Sequence, residues 1–485
     1  MSIESSIEPL QNRARTKIVA TLGPASSDPQ MIERLIVAGT DVFRLNMAHG
    51  SPQDYGTTIA NIREQGKNTD RPIGILVDLA GPKIRLGELL EESVDCQIGT
   101  EFRFIRGRTI DTNDQLTSSY ESLVDELQID DRVLVADGTV EMIVVGKAND
   151  EVQCRVTQPG LIRSRQGINL PGAKLTVPAM DEVDIANAEW AARSGVDFVS
   201  LSFVRSPVEV RQLKELIKRQ NSTALVIAKI EKPEALDVLE EIVDASDGIM
   251  VARGDLGVEI DVAEMPVEQK RIIDTCTRLC RPVIVATQML DSMQRNSRPT
   301  RAEATDVANA ILDGADACML SGETAIGRFP IESVRMMNRI MLATERMLES
   351  DVNRQPSRAA KSKVHAITAA VVFSSGQIAE DLNAKLVVVA TKSGATALAK
   401  AKQRDSIRTV AVSSCVETLR KTMLFWGIEP ISTAPVTDSD SDLIEFVENW
   451  GRENGCLQSG DRIVLLNGAG MRTHVHNSLI VHEMD

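Results

Sequence analysis

Short apolar runs alternate with amphipathic stretches along most of the chain from residue 16 onward. The stretches between the runs, such as residues 29–38 and 206–219, carry apolar residues at spacings of three and four. Apolar runs of this length predict buried strands, and the spacing of three and four predicts helices. The eight predicted strands of the first part of the chain are residues 16–22, 41–46, 72–78, 197–203, 224–229, 248–252, 282–286 and 317–321.

Strict alternation of strand and helix indicates βα units with parallel strands. Eight near-continuously apolar strands favour a closed (β/α)8 TIM barrel over a doubly wound sheet, which usually has fewer strands. The rhythm breaks after residue 78, because the next barrel-type helix begins only at Asp181. The segment between them has short alternating runs separated by DG and PG turns, which predicts an inserted all-β domain. In a βα loop, such an insertion would lie at the catalytic face and could close over it as a lid.

A polar, helix-poor segment at residues 352–363 indicates a linker, and a second α/β alternation with fewer strands follows it. The formal net charge is −15, which disfavours nucleic-acid partners. No apolar run is long enough to span a bilayer, and the first residues lack an apolar signal core, so we expect a cytoplasmic protein without membrane contact. The seven cysteines include one i, i+4 pair, Cys276 and Cys280, on a predicted helix; we expect buried thiols there rather than a metal site.

Polar residues follow the carboxyl ends of the predicted strands, where a βα barrel carries its active site. Arg253 is the ambiguous member, because an arginine so close to several acids is often part of the scaffold. The candidates are Arg44, Asn46, His49, Asp78, Lys83, Arg85, Lys229, Glu231, Arg253, Asp255, Thr287, Gln288, Ser321 and Glu323.

Lys229 and Glu231 are two residues apart on one strand, so their side chains face the same side. Asp255 follows the neighbouring strand, and two carboxylates with water and substrate oxygens suit Mg²⁺. A purely structural Lys229–Glu231 ion pair is the alternative. Arg44 and Arg85 add anion-binding capacity. With no histidine base or nucleophilic cysteine evident, this set indicates phosphoryl transfer or enolate chemistry.

Long strings occur in a fixed order along the chain: TKIVATLGPAS, RLNMAHG, GPKIR, GINLPG, IEKPEAL, DGIMVARGDLGVEI, VATQMLDSM, RPTRAEATDVANAILDGADACMLSGETA and FPIESV. Together they resemble the pyruvate kinase family, strongly over residues 15–345 and more loosely beyond. The resemblance implies Mg²⁺-dependent phosphoryl transfer from phosphoenolpyruvate to ADP, with Mn²⁺ as an alternative ion, in a homotetramer. It also implies an N-terminal arm at 1–15, a TIM-barrel catalytic domain at 16–81 and 178–350, a β-barrel lid at 82–177 and a C-terminal α/β regulatory domain at 360–485.

The resemblance also implies roles for individual residues. Arg44 would hold the phosphoryl group of phosphoenolpyruvate, and Lys229 would neutralise charge on the transferring phosphoryl group and the enolate. Glu231 and Asp255 would bind Mg²⁺. The substrate carboxylate would be held by the backbone around Gly254 and Asp255 and by the Thr287 hydroxyl, with Thr287 and Ser321 near the carbon that is protonated. The nucleotide phosphates would be lined by Asn46, His49 and Arg85.

Two departures from the family pattern matter. The lysine that usually precedes the GINLPG-type turn is Gln166 here, with Arg165 beside it, and the sequence leaves open which of the two takes its role. The family's potassium ligands are kept at Asn46 and Asp78, but the serine that supplies a hydroxyl is Ala48 here. The threonine that supplies a backbone carbonyl is Leu79, whose carbonyl would survive, and Lys83 replaces an acid. An ammonium there could supply the charge of the ion, so we predict that K⁺ is not required. The alternative is that Lys83 is a surface cation.

In the C-terminal domain, the turn TKSGAT follows a predicted strand and opens a helix. Backbone amides and hydroxyls at such a turn can hold an anion, and the family uses the matching turn for phosphorylated effectors. An ordinary turn is the alternative. Two other classes of function remain open for the whole chain, a metal-dependent aldolase or lyase and a non-catalytic sensor. The predicted effector residues are Thr391, Lys392, Ser393, Gly394 and Thr396.

Overall fold

A computed structural model describes residues 13–136, 138–172, 176–349, 364–433, 440–468 and 477–485. The predicted linker at 352–363 and most of the predicted N-terminal arm lie outside the described residues. Among the described residues, no helix combines the length and the apolar composition needed to cross a bilayer.

The eight predicted strands form a closed parallel barrel, which confirms the predicted fold class. Their residues are buried on both faces because neighbouring strands, the barrel interior and the surrounding helices cover them. The barrel strands are β1 (Lys17–Thr21), β2 (Val42–Asn46), β3 (Gly74–Asp78), β12 (Phe198–Leu201), β13 (Leu225–Ile230), β14 (Gly248–Ala252), β15 (Val283–Ala286) and β16 (Ala317–Leu320). Around the barrel they follow the order β1-β16-β15-β14-β13-β12-β3-β2.

The barrel helices begin where the sequence carries capping residues. Ser51 and Asp54 form a reciprocal capping box at one helix start, and Thr300 and Glu303 form another. A short 3₁₀ helix spans Asp291–Gln294. The helices of this part of the chain are α1 (Pro29–Ala38), α2 (Pro52–Asn68), α4 (Glu182–Arg193), α5 (Pro207–Arg219), α6 (Pro233–Asp237), α7 (Leu239–Ala245), α8 (Arg253–Glu259), α9 (Met265–Arg278), α10 (Arg301–Asp313), α11 (Gly322–Ala325) and α12 (Pro330–Glu349).

The expectation that Cys276 and Cys280 share a helix is wrong. Helix α9 ends at Arg278, and Cys280 lies beyond it in the left-handed region with φ 55°. Both residues are buried, and burial raises the pKa of the Cys276 thiol to about 12. A thiol with so high a pKa is an inert part of the core.

The inserted segment is a separate β-rich domain with its own apolar core. Its strands are β4 (Val94–Cys96), β5 (Glu101–Ile105), β6 (Gln115–Leu116), β7 (Arg132–Val135), β8 (Val140–Lys147), β9 (Glu151–Gln158), β10 (Gly160–Ile162) and β11 (Ile168–Asn169). Six of them form a curled sheet in the order β11-β7-β8-β9-β5-β6, and the other two pair as β10-β4. One short helix, α3 (Leu123–Glu126), was not predicted.

The elements of the C-terminal domain are α13 (Ala366–Asp381), β17 (Leu386–Ala390), α14 (Ala395–Ala401), β18 (Thr409–Ser413), α15 (Val416–Thr422), β19 (Ile428–Ser432), α16 (Asp440–Glu453), β20 (Arg462–Gly468) and β21 (Asn477–Glu483). Its strands form one sheet in the order β19-β18-β17-β20-β21, in which the described pairs are parallel except β20 with β21. The domain is joined to the barrel by a buried ion cluster, in which Lys402 and Arg404 both pair with Asp316.

Candidate active site

The carboxylate of Asp78, at the end of β3, is the centre of a buried charge cluster in the barrel mouth. It accepts hydrogen bonds from Nε of Arg44 at 3.0 Å, from Nη2 of the same guanidinium, and from Oγ of Ser200 at 2.6 Å. Nζ of Lys229 lies 3.5 Å away. Burial opposes ionisation of Asp78, but the charges of Lys229 and Arg44 outweigh it and lower its pKa to about 2. Asp78 is therefore a carboxylate at any physiological pH.

Lys229, on β13, is held by three oxygens in the mouth. Its Nζ lies 2.8 Å from Oε1 of Glu231 and donates to Oγ of Ser202 at 2.8 Å, beside the contact with Asp78. Burial favours the neutral amine, but Asp78 and Glu231 outweigh it and raise the pKa of Lys229 above its usual value. The side chain therefore keeps its positive charge, although it is almost wholly removed from water.

Glu231 follows β13 and is fixed at both oxygens, because the Phe203 N–H donates to Oε2 at 2.7 Å while Lys229 holds Oε1. Burial raises its pKa, Lys229 opposes that shift, and the charge of Asp255 adds to it. Asp255, in the first turn of α8, is therefore close enough for the two carboxylates to repel each other. Such a pair fits a hard divalent cation. No group of three or more His, Cys, Asp or Glu in the described part of the chain is arranged for a metal, so water and substrate oxygens would complete the coordination.

Thr287 stands directly after β15 in a left-handed conformation, with φ 67°. Its hydroxyl accepts a hydrogen bond from the Gly254 N–H at 2.7 Å and donates to the Ala286 carbonyl at 2.6 Å. Arg253 donates to the Thr287 carbonyl at 2.8 Å and pairs with Asp306 at 2.7 Å. Arg253 thus braces the backbone of the site, as its ambiguous position in the sequence allowed.

Ser321 directly follows the last barrel strand, and its Oγ is buried without a hydrogen-bond partner among the described residues. Its backbone is held in place by Glu323, which accepts from the Ser321 N–H at 2.8 Å and from the Leu290 N–H at 2.9 Å. Burial raises the pKa of Glu323. A hydroxyl with free hydrogen-bonding capacity at a strand end is suited to a water or substrate contact.

The residues predicted on the nucleotide side are less tightly fixed. Asn46 accepts from the Ala48 N–H at 3.2 Å, and His49 and Arg85 are exposed. Arg85 reaches the carbonyl of Arg165 at 3.2 Å. His49 and Arg85 are thus accessible to solvent, whereas Asp78 and Lys229 are buried.

Gln166 and Arg165, the two candidates to replace the lysine that the family usually has in the lid, both form hydrogen bonds with other residues of the lid. Arg165 donates to Glu88 through Nε at 2.6 Å, and Oε1 of Gln166 accepts from the Arg163 N–H at 2.6 Å. Both partners, Arg163 and Glu88, belong to the lid and not to the barrel. The geometry therefore does not choose between Gln166 and Arg165.

A cleft of about 80 Å³ lies between the lid and the barrel mouth. Lys83 lines it together with Asp255, Lys232 and Asn169. The carbonyl of Leu79 accepts from the Ser202 hydroxyl at 2.7 Å. Lys83 is exposed, and it borders the space in which the predicted Mg²⁺ ligand Asp255 lies.

Three residues of the site were missed by the sequence reasoning: Ser200, Ser202 and Phe203, at the end of the fourth barrel strand. Ser200, on β12, and Ser202, directly after it, are two residues apart; the Ser200 hydroxyl donates to Asp78, and the Ser202 hydroxyl accepts from Lys229. The signal that could have found them is this period of two in a run that is otherwise apolar. A search for charged strand ends overlooks neutral hydroxyls.

In the C-terminal domain, the predicted effector turn connects β17 to α14. Oγ1 of Thr391 accepts from the Gly394 N–H at 3.0 Å, and Gly394 has φ 83°. Oγ of Ser393 accepts from the Ala395 N–H at 3.5 Å, and the Lys392 carbonyl accepts from Thr418 at 2.7 Å. These bonds define the turn and do not by themselves indicate a ligand.

The similarity of the chain to known proteins indicates the same family as its fold and site. The family description "Pyruvate kinase, barrel domain" matches residues 13–334, and "Pyruvate kinase, alpha/beta domain" matches residues 369–482. Pyruvate kinase 2 of Synechocystis is 42% identical over 460 residues, covering 94% of this chain and 76% of the relative. A pyruvate kinase of Staphylococcus aureus is 38% identical over 471 residues, covering 96% of this chain and 80% of the relative. The crystal structure of a pyruvate kinase from Cryptosporidium parvum superposes with a TM-score of 0.90 at 31% identity, covering 100% of both chains. The chain belongs to the pyruvate kinase family.

Proposed function

We propose that this chain transfers the phosphoryl group of phosphoenolpyruvate to ADP and releases pyruvate and ATP, the last step of glycolysis. The observation that carries the proposal is the buried cluster of Arg44, Asp78, Lys229 and Glu231 in the mouth of a pyruvate kinase barrel. Membership of this family favours the phosphotransferase over the aldolase, lyase or sensor functions that the sequence left open.

In the proposed mechanism, Arg44 holds the phosphoryl group of phosphoenolpyruvate, and Asp78 keeps the guanidinium oriented through its hydrogen bonds. Lys229 places its ammonium beside the transferring phosphoryl group and the bridging oxygen, where negative charge develops. Glu231 and Asp255 would hold Mg²⁺, which when bound supplies further neutralisation of phosphate charge. Because Glu231 is anchored by the Phe203 amide, its oxygens are positioned before the substrates arrive.

For the substrate's carboxylate, the backbone around Gly254 and Asp255 and the hydroxyl of Thr287 are the proposed contacts. The support is the left-handed backbone at Thr287, which carries its hydroxyl to the first turn of α8. We place Thr287 and the hydroxyl of Ser321, which has no hydrogen-bond partner in the described part of the chain, near the enolate carbon that is protonated after transfer. Asn46, His49 and Arg85 line the phosphates of ADP, and Gln166 or Arg165 contacts the nucleotide from the lid.

The remaining parts of the proposal concern ions, regulation and assembly. We propose that K⁺ is not required, because Lys83 borders the cleft and Ala48 offers no hydroxyl. A phosphorylated metabolite binds the turn at residues 391–396 and changes the dependence of the rate on phosphoenolpyruvate. The enzyme works in the cytoplasm as a homotetramer, and its lid and regulatory domain extend over residues 82–177 and 360–485.

The direct test of the function is pyruvate release from phosphoenolpyruvate, measured with ADP present or absent and with Mg²⁺, Mn²⁺ or chelator. We expect release that needs both ADP and a divalent ion, with ATP formed in equal amount. Pyruvate formed at the same rate without ADP would refute phosphoryl transfer to a nucleotide.

A further inference from the structure

The lid is joined to the barrel by two short segments, the outgoing hinge (residues 79–83) and the returning hinge (residues 177–181). Helix α4 begins directly after the returning hinge, with Asp181 as its N-cap. Asp184, in its first turn, is 1% exposed and points back to the outgoing hinge, where its Oδ1 accepts from the Gly81 N–H at 3.3 Å. One buried carboxylate therefore connects the helix that follows the returning hinge to the outgoing hinge.

Gly81 itself is closely packed in the hinge. It has φ +70°, and a Cβ there would lie 2.6 Å from the ring of Phe203. The N–H of Phe203 is the donor that anchors the predicted Mg²⁺ ligand Glu231. Gly81, which Asp184 holds, is thus in contact with Phe203, and Phe203 in turn positions the carboxylate of Glu231.

The second oxygen of Asp184, Oδ2, is buried and has no hydrogen-bond partner among the described residues. An ionised carboxylate that is buried with one oxygen lacking a hydrogen bond lowers the stability of the folded state. Positions that lower stability in this way are typical of functional sites.

We propose that Asp184 is a positioning residue of the phosphotransferase, whose carboxylate fixes the outgoing hinge at Gly81 and thereby the orientation of the lid over the barrel mouth. The proposal rests on the proposed function of the barrel site. It assigns Asp184 no contact with substrate.

Protonation should weaken this tie, because a neutral carboxyl is a poorer acceptor than a carboxylate. Burial, together with the charge of Asp181 on the preceding turn, raises the pKa of Asp184 to about 6, although the amides of Gly81, Asp181 and Ala80 oppose the shift. The outgoing hinge faces the carboxylate with the amides of Gly81 and Ala80, and the returning hinge faces it with the amide of Asp181. Since the folded pKa lies above the ordinary value of 3.8, the fold favours the neutral acid, and that preference is lost as the pH rises through about 6.

The test is the pH dependence of Asp184→Asn, which keeps the shape and the acceptor oxygen but removes the charge. Phosphates of the substrates also titrate near pH 6. The readout is therefore the ratio of kcat/KM for ADP between variant and wild type at each pH, in which substrate titration cancels. We expect the variant to be roughly tenfold slower at pH 8, by the difference between a charged and a neutral acceptor, and the ratio to approach one at pH 5.

Thermal unfolding at pH 8 separates positioning from a structural role. Because Asp184→Asn removes a buried charge, we expect its melting temperature to be at least that of the wild type. The matched control is Asp181→Asn, which keeps an N-cap acceptor and should leave kcat/KM unchanged at pH 8, where Asp184 is ionised in both proteins. Because it removes a charge that raises the pKa of Asp184, it should also move the fall in activity to lower pH. Wild-type activity tests the phosphotransferase itself, so a failure of that function would be distinguishable.

Hydrogen exchange of the peptide that contains Gly81 gives a second readout without activity. The variant should exchange faster than the wild type at pH 8 and equally at pH 5. A kcat/KM ratio that is constant with pH, equal activity at pH 8, or a lowered melting temperature would each overturn the proposal.

Discussion

The sharpest prediction about the site concerns the charge of Lys229. Substitution by Met keeps the length of the side chain and removes the ammonium that lies 2.8 Å from Glu231 and 3.5 Å from Asp78. Arg44 still neutralises Asp78 in the variant, so the cluster loses one cation and keeps its remaining ion pair. We expect kcat to fall steeply, while KM for phosphoenolpyruvate changes little, because the ammonium acts where charge develops in the transition state.

The size of the loss follows from the geometry. An ammonium about 3 Å from a developing oxyanion interacts with it by roughly 5 kcal/mol at an effective dielectric constant near 20. Loss of one preorganised donor in enzymes typically costs about 2.7–4 kcal/mol, or 10²–10³ in kcat. We therefore expect kcat of Lys229→Met to be lower by about 10²–10⁴, bounded by these two figures.

Steady-state kinetics at saturating Mg²⁺ would measure kcat and KM separately, with melting temperatures to establish that the variant is folded. Lys229→Arg retains a positive charge and should recover part of the turnover. Lys214→Met is the matched control, since Lys214 pairs with Asp247 on the outside of the barrel. If Lys229→Met raised KM strongly and kept its kcat, the ammonium would bind the ground state and the assigned role would be wrong.

Three further variants test the metal, the potassium site and the domain contact. Glu231→Gln removes one of two protein carboxylates and should raise the half-saturating Mg²⁺ concentration at least tenfold; an unchanged Mg²⁺ titration would mean that the carboxylate is structural. Replacing K⁺ by Na⁺ at constant ionic strength should change the wild-type rate less than twofold, whereas Lys83→Glu with Ala48→Ser should create a dependence on K⁺; a many-fold activation of the wild type would contradict the substitution of Lys83 for the ion. Asp316→Asn leaves the buried ammonium of Lys402 without its charge partner and should lower the free energy of unfolding in urea by about 3–5 kcal/mol, and a loss under 1 kcal/mol would contradict this reasoning.

The barrel could be predicted from the sequence because both faces of its strands are buried, so each strand appears as an uninterrupted apolar run. The predicted bounds differ from the observed strands by only a residue or two at most ends, as at residues 41–46 against Val42–Asn46. The helix start at Asp181 was predictable as well, since the cap is a local feature. Cys280 was misplaced because the apolar period continues past Arg278, where the backbone turns left-handed.

The candidate site was predictable as far as charges at strand ends identify it. The contacts between side chains of neighbouring strands could not be predicted, because they depend on the register in which the strands pair. Asn46 is opposite Asp78, and Ser200 is opposite Asp78 from the other side, so one carboxylate receives partners from both neighbouring strands. A single sequence contains no record of that pairing. The same limit hid Asp184, whose partner Gly81 lies on the far side of the whole inserted lid.

The charges of the mouth also explain why the site combines buried acids with buried bases. Arg44 and Lys229 are cations, and Asp78, Glu231 and Asp255 are carboxylates, so together these groups carry one negative charge. Such a cluster attracts a divalent cation before it attracts a phosphate. With the cation bound its sign reverses, and it then favours the anionic substrate. Asp78 contributes to this order of binding: with a pKa of about 2 it stays ionised, and its charge offsets the repulsion between Arg44 and Lys229. Neutralising Asp78 should therefore weaken the binding of the divalent cation and at the same time misplace Arg44 and Lys229.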